Sequence, residues 1–208
     1  MRPADAFVIV ATVLAWTTLI PQIRSIIRTG DIEGVSITWP FIGLVSNAAW
    51  TLYLGSQALW AATPSTAGMV VFYVVVIKVL ADRHAPLRRA FVRGALWASA
   101  LASVGAAFGW GAFGLVLGWS YSVQMAPPLV AAYRSARPTG VSIGSWALIT
   151  IESVLWGVYG WLLDDLPIQV FALTGIVAGS SILMRAWRTR PRSDQEPVPP
   201  IASSDVRL

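Results

Sequence analysis

The sequence predicts an all-α membrane protein with seven transmembrane helices in a three-plus-one-plus-three arrangement, its two three-helix units related as parallel repeats. Three observations predict it. Only 12% of the 208 residues are charged, about half the ~25% of a soluble domain, while 56% are hydrophobic. The charges fall in short clusters between apolar runs long enough to cross a bilayer. The chain also matches itself at one fixed offset.

The spans follow from the ~20 apolar residues that a transmembrane helix requires. Runs at 5–27, 37–57, 62–81, 89–109, 111–133, 142–163 and 166–187 meet that length. The first has a weak basic region ahead of it and no small-residue cleavage site before Pro21, so it reads as a retained helix and not a signal peptide. Loops are short, with no inserted soluble domain. The first unit is predicted over 1–87, the linker helix over 88–110 and the second unit over 111–188. Small residues such as Gly94, Ala98, Ala102 and Gly105 crowd the linker helix and permit close backbone approach, with no chemistry of its own expected there. The Pro-, Ser- and charge-containing tail over 189–208 reads as disordered and cytoplasmic.

Loop charges set the expected orientation. With the N-terminus outside, the inner loops hold Arg24 and Arg28, then Arg83, Arg88, Arg89 and Arg93, then Arg134 and Arg137, then Arg185 and Arg188. The outer side holds Arg2 alone, and its third loop carries Asp164 and Asp165. This is the asymmetry of the positive-inside rule, and it predicts a multi-pass protein of the cell membrane with its C-terminus in the cytoplasm. A reporter active only outside the membrane, fused after Leu208, is expected to be silent; an active fusion would overturn the orientation.

The self-match runs at an offset of 106 residues, from Pro21 to Pro127. The first copy reads Ile20-Pro21-Gln22-Ile23, Arg28-Thr29, Gly34-Val35-Ser36-Ile37; the second reads Ala126-Pro127-Pro128-Leu129, Arg134-Ser135, Gly140-Val141-Ser142-Ile143. Trp50 and Tyr53 match Trp156 and Tyr159 at the same offset. Three helices plus one linker restore the starting direction, so the copies are parallel, related by an axis along the membrane normal.

On these residues the chain resembles the PQ-loop membrane proteins and, within them, the SWEET sugar facilitators, over roughly residues 5–187. The carriers are Pro21-Gln22, the following Gly-Val-Ser, the Trp-x-x-Tyr of helix two, and their counterparts in the second copy, where Pro128 stands in place of the Gln. The resemblance implies a transporter working by alternating access. It also implies an Asn facing the sugar in helices three and seven. The matching positions here are Met69 and Ala172, and neither helix contains an Asn.

Candidate site residues follow from depth and repetition. Pro21 and Pro127 remove a backbone donor inside helices one and five, and a kink at the same depth in both units is a candidate hinge. Trp50 and Trp156 repeat and lie deeper than Trp39, Trp60, Trp110, Trp146, Trp161 and Trp187, which read as interfacial anchors. Lys78 is near enough to the inner end of helix three to snorkel. Glu152 is not: it lies mid-span in helix six, roughly 15 Å from either end at 1.5 Å per residue. A carboxylate at that depth is a functional candidate. Its counterpart is Ser46, with Asn47 beside it; Gln124 and its counterpart Thr18 lie at a similar depth. Together these outline a substrate cavity between the two units.

The function expected is a transporter for a small polar solute, with a SWEET-like sugar facilitator as the leading version. The alternative is a proton-coupled carrier of amino acids or other small metabolites, with Glu152 as proton acceptor. A receptor resembling the retention-signal receptor of similar helix arrangement would want basic residues in its cavity, whereas here they fall in the inner loops. With no Cys and one His, a thiolate or two-histidine metal site is excluded, and no nucleophile–base pair or phosphate loop points to an enzyme. The net charge of +5 is explained by the inner loops, so no nucleic acid is implied. The partners expected are the solute and the lipid bilayer, with no cofactor and with homo-oligomerisation left open.

Overall fold

A computed structural model describes residues 2–29, 37–84, 86–134 and 143–189, with the side chains of residues 18–29, 127 and 131 outside that description. The segments 30–36 and 135–142, which carry both Gly-Val-Ser motifs, and the tail from 190 onward therefore lie outside the described residues.

The described chain folds into six helices: α1 (Asp5–Thr29), α2 (Thr38–Ser56), α3 (Thr63–Asp82), α4 (Arg88–Arg134), α5 (Ile143–Leu162) and α6 (Leu166–Arg188). Proline in the first turn starts α3 and α6, where a missing N–H costs nothing. Asp165 caps α6 by accepting from the Ile168 N–H at 2.9 Å. Helix α4 has 47 residues, ~70 Å at 1.5 Å per residue, more than twice a ~30 Å hydrocarbon core. It is broken at Gly109, whose φ of 77° and ψ of −175° are open to glycine and strained for any residue with a Cβ. Two arms result, 88–108 and 110–134.

Three of these helices, α3, α4 and α6, are long and apolar enough to cross a membrane. Large apolar side chains such as Leu52, Val71, Leu96, Phe108, Val123 and Leu173 project outward, a surface suited to lipid and costly in water.

The packing order is regular. Helix α3 lies against both α1 and α2, which do not pack on each other among the described residues. Helix α6 in the same way lies against α5 and α4, through the second arm: Tyr121 stacks on Phe171, and Ser122 and Thr174 share a hydrogen bond of 3.1 Å. The two trios meet through α1 with α5 and through α2 with α4. The first arm of α4 contributes to the latter contact, with Gly94 against Phe41 and Trp97 against Ser46.

The α5–α6 contact is backbone-close. Gly175 and Gly179, one turn apart on α6, face Ser153 and Thr150 of α5, and a Cβ at either position would collide with those hydroxyls. Gly179→Leu is expected to force the helices apart and destabilise the bundle by about 1–3 kcal/mol. Thermal unfolding in detergent measures this; an unchanged midpoint would show that the interface yields freely.

Candidate functional site

One end of the bundle is filled by an apolar cluster. Ala4, the start of α1 (Val8, Ala11), the end of α2 (Ala49, Tyr53, Leu54), the second arm of α4 (Phe113, Leu117), the end of α5 (Trp156, Tyr159) and the start of α6 (Ile168, Ala172) bury their side chains together. At this end the Tyr53 hydroxyl donates to Asp165 Oδ2 at 2.8 Å, across 112 residues of sequence. The two oxygens of Asp165 thus do different work: Oδ1 caps α6 and Oδ2 ties it to α2.

Beneath the cluster lies a cavity of about 260 Å³, with Leu54, Leu117, Trp156 and Ile168 shared between the two. Helices α2, α3, α5 and α6, the second arm of α4, and Ala15 of α1 all contribute to its wall. Of the residues singled out in the sequence, Ser46, Asn47, Trp50, Gln124, Glu152 and Trp156 line it. The side chain of Thr18 lies outside the described residues, as do those of Pro21 and Pro127; the helix assignment runs through all three positions. Met69 lines the cavity, whereas Ala172 is buried in the cluster next to Gly157.

The wall is strongly aromatic. Phe171 sits edge-on to both repeat-related tryptophans, with ring centroids 5.7 Å from Trp50 and 6.3 Å from Trp156, and tilts over Tyr121 at 4.4 Å. Trp156 stands one turn from Glu152 on α5, on the same helix face. Tyr73 enters from α3 because Gly43 leaves its ring room, and it packs against Trp39 at 5.0 Å.

Several neutral polar groups in the wall are already engaged. Asn47 donates its amide to the Gly43 carbonyl at 2.9 Å. The Trp97 indole donates to Ser46 Oγ at 3.0 Å. Thr66 accepts from Thr51 and donates to the Thr63 carbonyl. Glu152 is the one carboxylate in the described wall, and no Lys, Arg or His among the described residues shares it. Lys78 points elsewhere: it is exposed and paired with Asp82 at 2.9 Å.

The structure corrects two positional readings. Trp39, read as an interfacial anchor, turns inward onto Tyr73 and lines the cavity. The first arm of α4, read as a bare linker, supplies the indole that holds Ser46. Tyr121 and Phe171 were not singled out, yet for Tyr121 a signal existed. At the repeat offset Tyr121 corresponds to Ala15, and both line the cavity, as do the pairs Ser46/Glu152 and Trp50/Trp156.

A family model described as "PQ loop repeat" matches residues 4–59, which span α1 and α2 and include Pro21-Gln22. No curated protein matches the chain. The match supports the PQ-loop family and, with the apolar helices, points to a membrane protein of transporter-like function.

Proposed function

We propose that the protein is a seven-helix carrier of a small polar solute, working by alternating access, with Glu152 taking part in the transport cycle. The break at Gly109 and the matching order of packing in the two trios support two three-helix units joined by the first arm of α4. A cavity at the meeting of two such units is where carriers built from repeats hold their cargo. The observation that carries the reading is a single carboxylate in the cavity wall, mid-span, with no basic side chain beside it among the described residues. Pro21 and Pro127 are the proposed hinges, and the end that holds Asp5 and Asp165 is proposed as the outer one.

SWEET-like sugar facilitation is the second reading. The indole pair Trp50 and Trp156 favours it, since such rings pack against the C–H faces of sugars. It ranks second because the amide pair implied by the resemblance is absent: Met69 is apolar and Ala172 lies outside the cavity wall.

Exchange of labelled solutes across liposomes holding the purified protein, with and without a pH gradient, tests the two. Gradient-driven movement in the wild type, lost in Glu152→Gln, is the expected result. Transport of sugar indifferent to pH 5–8, unchanged by Glu152→Gln, would overturn the role of Glu152 and favour the facilitator.

A further inference from the structure

We propose that the cavity selects a small organic cation, an ammonium group carrying no carboxylate, with Glu152 as its counter-charge and Trp156, Phe171 and Tyr121 as an aromatic wall. This rests on the carrier reading above and names the class of its cargo.

A solute rich in hydroxyls needs many free hydrogen-bonding partners, because each unmatched group it loses from water is costly. Asn47, Ser46 and Thr66 already have partners on their own or adjacent helices. Beside the Gln124 amide and the Tyr73 and Tyr121 hydroxyls, the wall offers charge and ring surface. The faces of aromatic rings carry negative potential and attract a cation that comes within ~6 Å of their centroids. Phe171 and Tyr121 lie 4.4 Å apart, with Trp156 6.3 Å from Phe171, so the rings cluster on the α5–α6 side of the cavity that also bears Glu152.

The sign of the cargo follows. A carboxylate walled by rings, with no Lys, Arg or His among the described residues of that wall, is stabilised by a positive charge brought from outside. An anionic or zwitterionic solute would set its own carboxylate against Glu152 and the ring faces, with no described cation to receive it. The volume bounds the size. About 260 Å³ has room for a solute of ~8 heavy atoms, taking ~30 Å³ for each as for liquid water. A trimethylammonium or primary amine with a short polar arm fits that bound.

Choline is a suitable probe, because three relatives separate charge from shape. In its carbon isostere a quaternary carbon replaces the nitrogen; glycine betaine adds a carboxylate; glucose is neutral and polyhydroxylated. Wild-type protein in liposomes would be tested for counterflow of labelled choline, and the protein in detergent for choline binding by quenching of tryptophan fluorescence. Choline is expected to exchange at least ~10-fold above protein-free liposomes, and the isostere to compete at least ~10-fold more weakly. Betaine and glucose should not compete. Glu152→Gln is expected to lose choline exchange at least ~10-fold, with Glu152→Asp restoring part of it. If Glu152→Gln does not fold, the wild-type competition series alone decides.

Equal competition by the isostere or by betaine would overturn the cation assignment. So would exchange of glucose without choline, and there the carrier reading would survive. Choline binding without exchange would support the cation site and overturn the carrier reading. Neither binding nor exchange of any probe would overturn both.

Discussion

Trp156→Ala is expected to reduce transport at least ~100-fold while the protein still inserts in the membrane. Trp156 is only 6% exposed, packs edge-on against Tyr159 and Phe171, stands one turn from Glu152, and forms part of the wall between the cavity and the apolar cluster. Truncation removes the ring that a solute would rest on. Such a truncation costs ~3–5 kcal/mol of packing in a core, so transport must be compared at equal amounts of folded protein. Trp156→Phe separates the effects, keeping much of the ring area and losing the N–H. Trp50 is only half-buried, so Trp50→Ala should cost less stability while still impairing transport. Normal transport by both alanine variants would reduce the tryptophans to packing residues.

The second large effect is expected at the tie between Tyr53 and Asp165. Tyr53→Phe keeps the ring and removes only the hydroxyl that donates to Asp165. A hydrogen bond to a carboxylate contributes ~1.5–3 kcal/mol; with Asp165 partly exposed, the lower value applies and corresponds to a ~10-fold change in equilibrium. The tied arrangement at this end should become less populated by that factor. Asp165→Ala should do more, because the cap on Ile168 is lost as well, at ~1 kcal/mol. Asp165→Asn retains a capping oxygen and should resemble Tyr53→Phe more than Asp165→Ala. Equal unfolding midpoints for Asp165→Ala and Asp165→Asn would contradict the separate roles of the two carboxylate oxygens.

Much of this architecture was legible because membrane spans announce themselves. The run expected at 62–81 is helical over Thr63–Asp82, where the apolar stretch gives way to Asp82 and Arg83. The break in α4 was expected between 109 and 111, but glycines at 105, 109, 111 and 114 left its residue open, and the backbone selects Gly109. Depth along a span was also legible, which is why Glu152, Trp156 and Gln124 could be grouped before their contacts were known. Contacts between helices were not. Nothing local ties Tyr53 to Asp165, and nothing in the run around Trp97 says that its indole will reach Ser46. Trp39 was misread because position near a loop suggests an anchor, whereas the space beside Gly43 draws Tyr73 and Trp39 together inside. Tyr121 escaped because its counterpart, Ala15, shares neither size nor chemistry with it. A search for identical residues passes over such pairs.

The cavity between the two units is proposed to open to one side of the membrane and then the other. The chain has no Cys, so a single thiol can report on it. Met69→Cys places that thiol in the cavity wall without touching Glu152 or the tryptophans. Its rate of labelling by a membrane-impermeant thiol reagent would be measured from each face in oriented vesicles, alone and combined with Tyr53→Phe. Labelling from both faces is expected, with Tyr53→Phe raising the outer rate up to ~10-fold and lowering the inner one. Labelling from one face only, at a rate indifferent to Tyr53→Phe, would contradict it.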